Sequence, residues 1–133
     1  MDIYAQEALY KTLLPHEKIE YSLNGLHADE KMNRLFKCST LVAATTEHIY
    51  LCMTDDESYQ IRSISYEQIE AIYQRNRVLS GREIIILTKN KRYSISHIEE
   101  ANLHHFMQFV QSAWKKKSAY RLFQEQESEE TGA

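Results

Sequence analysis

Apolar and polar residues change period several times along this chain, and each change marks an element. Ile3, Leu9, Tyr10, Leu13 and Leu14 form a short helical set behind Asp2, which can cap the helix; Pro15 ends it. From Glu17 the period falls to two, with Ile19, Tyr21 and Leu23 alternating with Lys18, Glu20, Ser22 and Asn24. Gly25 to Met32 reads as a polar loop. Asn33–Ala44 and Glu47–Thr54 follow as strands rich in Leu, Phe, Val and Thr. After the acidic turn Asp55–Glu57, Tyr59–Ser65 is a fourth strand, Tyr66–Ile69 a turn, and Glu70–Leu79 a fifth. Ser80, Gly81 and Arg82 make a tight connection in which Gly81 takes positive φ. Glu83–Thr88 and Arg92–Ser96, separated by Lys89, Asn90 and Lys91, are the sixth and seventh strands.

At Ser96 the period lengthens again. Leu103, Phe106, Met107, Val110, Ala113 and Trp114 recur at three and four residues, so an amphipathic helix over Ser96–Lys117 presents one apolar stripe to a sheet. Ser96 and Glu99 have capping-box spacing, Glu100 adds negative charge to the first turn, and Lys115, Lys116 and Lys117 suit the last. Leu103, Phe106, Met107, Val110 and Trp114 are therefore expected to plug the sheet, with Trp114 buried. Gln124–Ala133 has no apolar residue before its final alanine and is expected to lack order. The chain divides into a helix at 1–15, a sheet-and-helix domain at 16–117 and an acidic tail at 118–133.

Seven short strands closed by one helix follow the order of the pleckstrin-homology superfold. The stretches LVAATTEHIYL (Leu41–Leu51), IRSISYEQIEAI (Ile61–Ile72) and SGREIIILTKNKRYSI (Ser80–Ile95) resemble bacterial pleckstrin-homology-like domains, particularly the YokE-like type. The resemblance spans about residues 10 to 117. It implies an α+β, mainly β fold: a barrel of seven antiparallel strands, nearly orthogonal and bent, closed by the C-terminal helix, with a short helix in front. The family brings no catalytic residues. Where it commonly carries a basic residue after the second hairpin turn, this chain has Glu47 and His48.

Composition narrows the function. At 133 residues, with 43% hydrophobic and 26% charged residues, the chain has the proportions of one globular domain. Met1–Leu9 carries Asp2 and Glu7 where a signal peptide would carry Lys or Arg before an apolar block, so a cytoplasmic location is expected. Glu125, Glu127, Glu129 and Glu130 account for much of the net charge of −3. The body, with sixteen basic and fifteen acidic residues through position 124, is close to neutral, which argues against a nucleic-acid partner. Cys38 and Cys52 read as reduced core residues. They fall nearly opposite across a predicted hairpin, where oxidation would be able to join them.

No G-x-S-x-G elbow, phosphate-cradling glycine loop or HExxH motif occurs, so neither catalysis nor a cofactor is expected. His97, Glu100 and His104 have helical spacing, but a helix starting at Ser96 leaves His97 at its edge and no metal site is expected. Lys31, Arg34 and Lys37 sit where some pleckstrin-homology domains grip phosphoinositides, offset here by Asp29 and Glu30. Arg75, Arg77 and Arg82 around one turn, and Lys89, Lys91 and Arg92 around the next, form the candidate site for an anion or lipid if the turns lie side by side. Tyr21, Tyr59, Tyr73 and Tyr93 in the strands suit a protein interface. The expected function is a non-enzymatic binding module. Its partner is a protein or a second copy, met through a strand edge or aromatic face; the alternative is weak contact of the basic turns with an anionic membrane.

Overall fold

The computed structural model describes residues 3–28, 37–54, 58–98 and 102–131, with side chains described for 6–27, 38–54, 58–98 and 102–118. Helix α1 (Ile3–Thr12) precedes seven strands: β1 (Tyr21–Ala28), β2 (Lys37–Ala44), β3 (His48–Thr54), β4 (Tyr59–Ser65), β5 (Ile69–Arg77), β6 (Gly81–Thr88) and β7 (Arg92–Ile98). A 3-10 turn, Tyr66–Gln68, links β4 to β5, and helix α2 (Leu103–Thr131) ends the order. All pairings are antiparallel, in the sheet order β4-β3-β2-β1-β7-β6-β5. The sheet is not closed by strand pairing: β4 and β5 are its two edges, and α2 packs against the 3-10 turn between them as well as β1 and β5.

Alternation places the core. Leu23, Val42, Leu51, Ile64, Ile72, Ile84, Ile86 and Ile95 point to one face, where Leu103, Phe106, Met107 and Val110 of α2 cover them. Trp114 is only partly buried, because its indole sits at the rim of this core and donates Nε1–H to the Ile69 carbonyl at 2.9 Å. On the opposite face of the first half-sheet, Leu9 and Leu13 lie over Ala43, Tyr50, Leu41 and Ile61 as a second, smaller core.

Several boundaries differ from those predicted. β1 continues through Gly25 to Ala28, where a loop is expected, since it must reach β7 to join the two halves. A Cβ on Gly25 would lie 2.5 Å from Ile95 Cγ2 and 2.8 Å from the Ser96 carbonyl oxygen, so this crossing requires glycine. Ser96 is a buried residue of β7, not a helix cap; β7 runs to Ile98 because Ile98 pairs with Arg82. Glu99 and Glu100 lie outside the described residues. At its far end α2 continues to Thr131 instead of stopping at Lys117. Residues 124–131 lack apolar side chains for packing but are rich in Glu and Gln, which favour helix.

Candidate docking surface

The β5–β6 hairpin carries the most exposed of the large hydrophobic side chains described. Arg77 pairs with Gly81, so Val78, Leu79 and Ser80 form a three-residue loop, and Gly81 takes φ 67°. A loop of this length usually pairs a tight turn with a left-handed glycine, and polar residues usually fill its tip. Here Val78 and Leu79 are 102% and 95% exposed. The prediction of a strand through Leu79 hid them: read as strand residues they supply core, whereas β5 ends at Arg77 and leaves them in solvent.

Arginines flank this tip. Arg75 donates from Nε and an Nη to the Glu83 carboxylate at 3.0 and 3.2 Å, and Arg77 Nε lies 3.4 Å from the same group. Ser94 Oγ also donates to Glu83. Burial alone would raise the Glu83 pKa, but the hydrogen bonds from Arg75 and Ser94 and the charges of Arg75 and Arg77 hold it below its ordinary value. The Arg75 guanidinium is shifted upward, first by its hydrogen bond to Glu83. Two arginines, Arg75 and Arg77, thus flank one ionised carboxylate.

Lys89, Lys91 and Arg92 do not join them. Consecutive hairpin turns of a meander lie at opposite ends of the strand they share, and β6 is eight residues long. The two basic turns are therefore ~23 Å apart along it. The six predicted cations form two separate groups; in the second, Lys91 Nζ lies 5.2 Å from the Tyr93 ring centroid.

The bacterial PH domain family matches residues 13–112, three quarters of the chain. This chain is a bacterial PH domain. No curated protein matches it. Among solved structures it is similar to the C-terminal domain of an unknown protein from Leishmania infantum, at 15% identity and TM-score 0.58, covering 84% of this chain and 92% of that one. It is also similar to the hSac2 domain from human phosphoinositide phosphatase Sac2, at 15% identity and TM-score 0.59, covering 86% and 80%.

Elsewhere in this bacterial PH domain, a polar cluster of a different kind is buried beneath α1. Glu17 sits in the connector before β1, and its carboxylate accepts from Leu14 N–H (3.0 Å), Tyr50 Oη (2.6 Å), Thr45 Oγ1 (2.5 Å) and His48 Nδ1 (2.9 Å). Burial would raise its pKa, but the bonds from Thr45, Tyr50, Leu14 and His48 outweigh it and hold the group at about 2. Burial, then the Glu17 charge, pushes the Tyr50 and Tyr66 hydroxyls above their usual range. Tyr66 Oη donates to the Thr45 carbonyl at 2.7 Å, which ties the 3-10 turn to the same knot. The cluster clamps the α1–β1 connector to the β2–β3 hairpin. His48, singled out by its departure from the family pattern, is one of its donors.

Of the other candidates, Lys31 and Arg34 lie outside the described residues, as do Asp29 and Glu30, and the Lys37 side chain is not described. His97 adopts φ 57° at the end of β7 while His104 is exposed on α2. Among the described residues no three His, Cys, Asp or Glu side chains gather as a metal would need. Cys52 pairs with Leu41 and Cys38 with His27, so the cysteines are three registers and ~10 Å apart, on opposite faces of the sheet. Neither is in a disulfide, and one between them is sterically excluded. Tyr21, Tyr59 and Tyr73 are exposed whereas Tyr93 is buried. No helix among the described residues is long and apolar enough to cross a membrane.

Proposed function

We propose that this chain is a non-enzymatic binding module that docks through the tip of the β5–β6 hairpin. The near-complete exposure of Val78 and Leu79 carries this reading. Each aliphatic side chain held in water forgoes about 1.5–3 kcal/mol that burial would supply. A rigid turn that keeps two of them side by side between arginines is arranged for contact. A photoreactive residue at position 79, activated in host cells, is expected to form adducts with a lipid or a protein, while one at position 90 on the opposite turn forms none. Absence of adducts at 79 would remove the tip as the docking surface.

A second reading is favoured by the sheet edge. β5 ends the strand order, Tyr73 at its centre is exposed, and its outer side has no strand beside it among the described residues. Antiparallel pairing with β5 of a second copy would set Glu67 and Glu70 of one chain near Arg75 and Arg77 of the other, an attractive arrangement. Light scattering tests it: a mass that rises from monomer to dimer with concentration is expected, and a constant monomer mass excludes the pairing.

A further inference from the structure

We infer that the hairpin tip docks on a second copy of this chain: β5 pairs with the partner's β5 about a two-fold axis at Tyr73, and Val78 and Leu79 of each copy cover Trp114 of the other. This rests on the edge-pairing reading above and adds to it a register and a place for the tip.

A cleft at the start of β5 receives the tip. Glu67, Gln68 and Ile69 form its near wall, Lys89 and Asn90 its far wall and Trp114 of α2 lies between them, around a space of about 600 Å³. The indole is fixed by its bond to the Ile69 carbonyl and only partly covered by its own chain. Two aliphatic side chains fill only part of this space. The tip therefore meets the near wall and the indole, and the Lys89–Asn90 wall stays in solvent.

Register brings the two together. Tyr73 is the central residue of the nine in β5, so an axis there uses the whole strand. Tyr73, 40% exposed, then faces the same residue of its partner, where two rings can pack. Counting outward, Arg77 falls opposite Ile69, Val78 opposite Gln68 and Leu79 opposite Glu67. The apolar tip of each copy thus arrives at the mouth of the other's cleft. Strand, tip and cleft together engage roughly 20 residues a side, the lower end of stable interfaces, which the tip alone does not approach.

Charge selects this register. Glu67 and Glu70 are exposed and make no ion pair among the described residues. Arg75 and Arg77 share the single carboxylate of Glu83, and the Arg77 side chain is 55% exposed. The pairing sets these arginines against the partner's two acids. An axis at Asn76 would instead set Arg75 opposite Arg77, with like charges facing.

Sedimentation equilibrium of the full chain over a concentration series is expected to give a monomer–dimer equilibrium and no larger species, because a two-fold contact closes on itself. Emission from Trp114, the only tryptophan, should shift to the blue as the dimer forms. The double variant Val78→Ser, Leu79→Ser, polar and suited to a turn, is expected to raise the dimer Kd at least about tenfold and to abolish the shift. Glu70→Lys should raise it about fivefold at low salt and less at high salt. Tyr73→Cys in a Cys38→Ser background should join to itself through a short bismaleimide, whereas Asn76→Cys, which falls opposite Glu70, should not. A photoreactive residue at position 79 should yield a covalent dimer joined at residues 67–69 or at Trp114. Circular dichroism confirms that each variant is folded.

A constant monomer mass overturns this inference together with the edge pairing; an adduct of position 79 with another molecule would then keep the tip as a docking surface. A dimer that links at Tyr73→Cys but is indifferent to the tip variant leaves the edge pairing standing and removes the tip from the cleft. A dimer that links at Asn76→Cys and not at Tyr73→Cys overturns the register and the inference with it.

Discussion

A carboxylate without exposed side-chain surface normally sheds its charge, and Glu17 keeps its own because donors from a backbone amide, two hydroxyls and an imidazole converge on two oxygens. A carboxyl held at about 2 in the folded chain and near its ordinary value of 4.5 when unfolded stabilises the fold above pH 4.5. That contribution, on the order of 3 kcal/mol, is lost as pH falls through this window towards the folded value. Glu17→Gln is expected to cost on the order of 2–3 kcal/mol at about pH 7, and the deficit should narrow at about pH 3 as the natural chain loses the same term. Urea unfolding followed by Trp114 fluorescence measures both; a deficit independent of pH would show that the ionised form is not what matters. None of this is visible in the sequence, where Glu17 is merely a polar residue at the start of an alternating run. Thr45, His48 and Tyr50 share the β2–β3 hairpin, and Glu17 meets them only because the connector between α1 and β1 folds back against it.

Secondary-structure elements were legible where their signal is a repeating period and less so where it is a boundary. All seven strands and the closing helix follow from spacing, strand-favouring composition and turn residues together. The apolar stripe from Leu103 to Val110 is the buried side of α2. The helix start was misplaced because Ser96-x-x-Glu99 is a local pattern, while the pairing of β7 with β6 is a longer-range interaction that holds Ser96 in a strand. Trp114 has a specific place at the end of that stripe. Trp114→Phe is expected to cost about 1 kcal/mol by removing the donor to Ile69, against about 3–5 kcal/mol for Phe106→Ala in the centre of the core. Thermal and denaturant unfolding of the two variants checks the ratio. Equal costs would place Trp114 in the core instead of at its rim.

For the molecule as a whole, the candidate site was half legible. Composition drew attention to the basic turns, but six cations near one another in sequence become two groups once a meander sends successive turns to opposite ends. Val78 and Leu79 escaped notice for the opposite reason: an apolar pair at the end of an alternating strand looks like more strand. The separation between the turns has a further consequence. The ~23 Å between the two turns is close to three Debye lengths at roughly physiological salt. At that distance the charges of one turn are screened from those of the other. The eight residues of β6 thus act as an electrostatic spacer, so that a charge removed at one turn leaves the potential at the other unchanged.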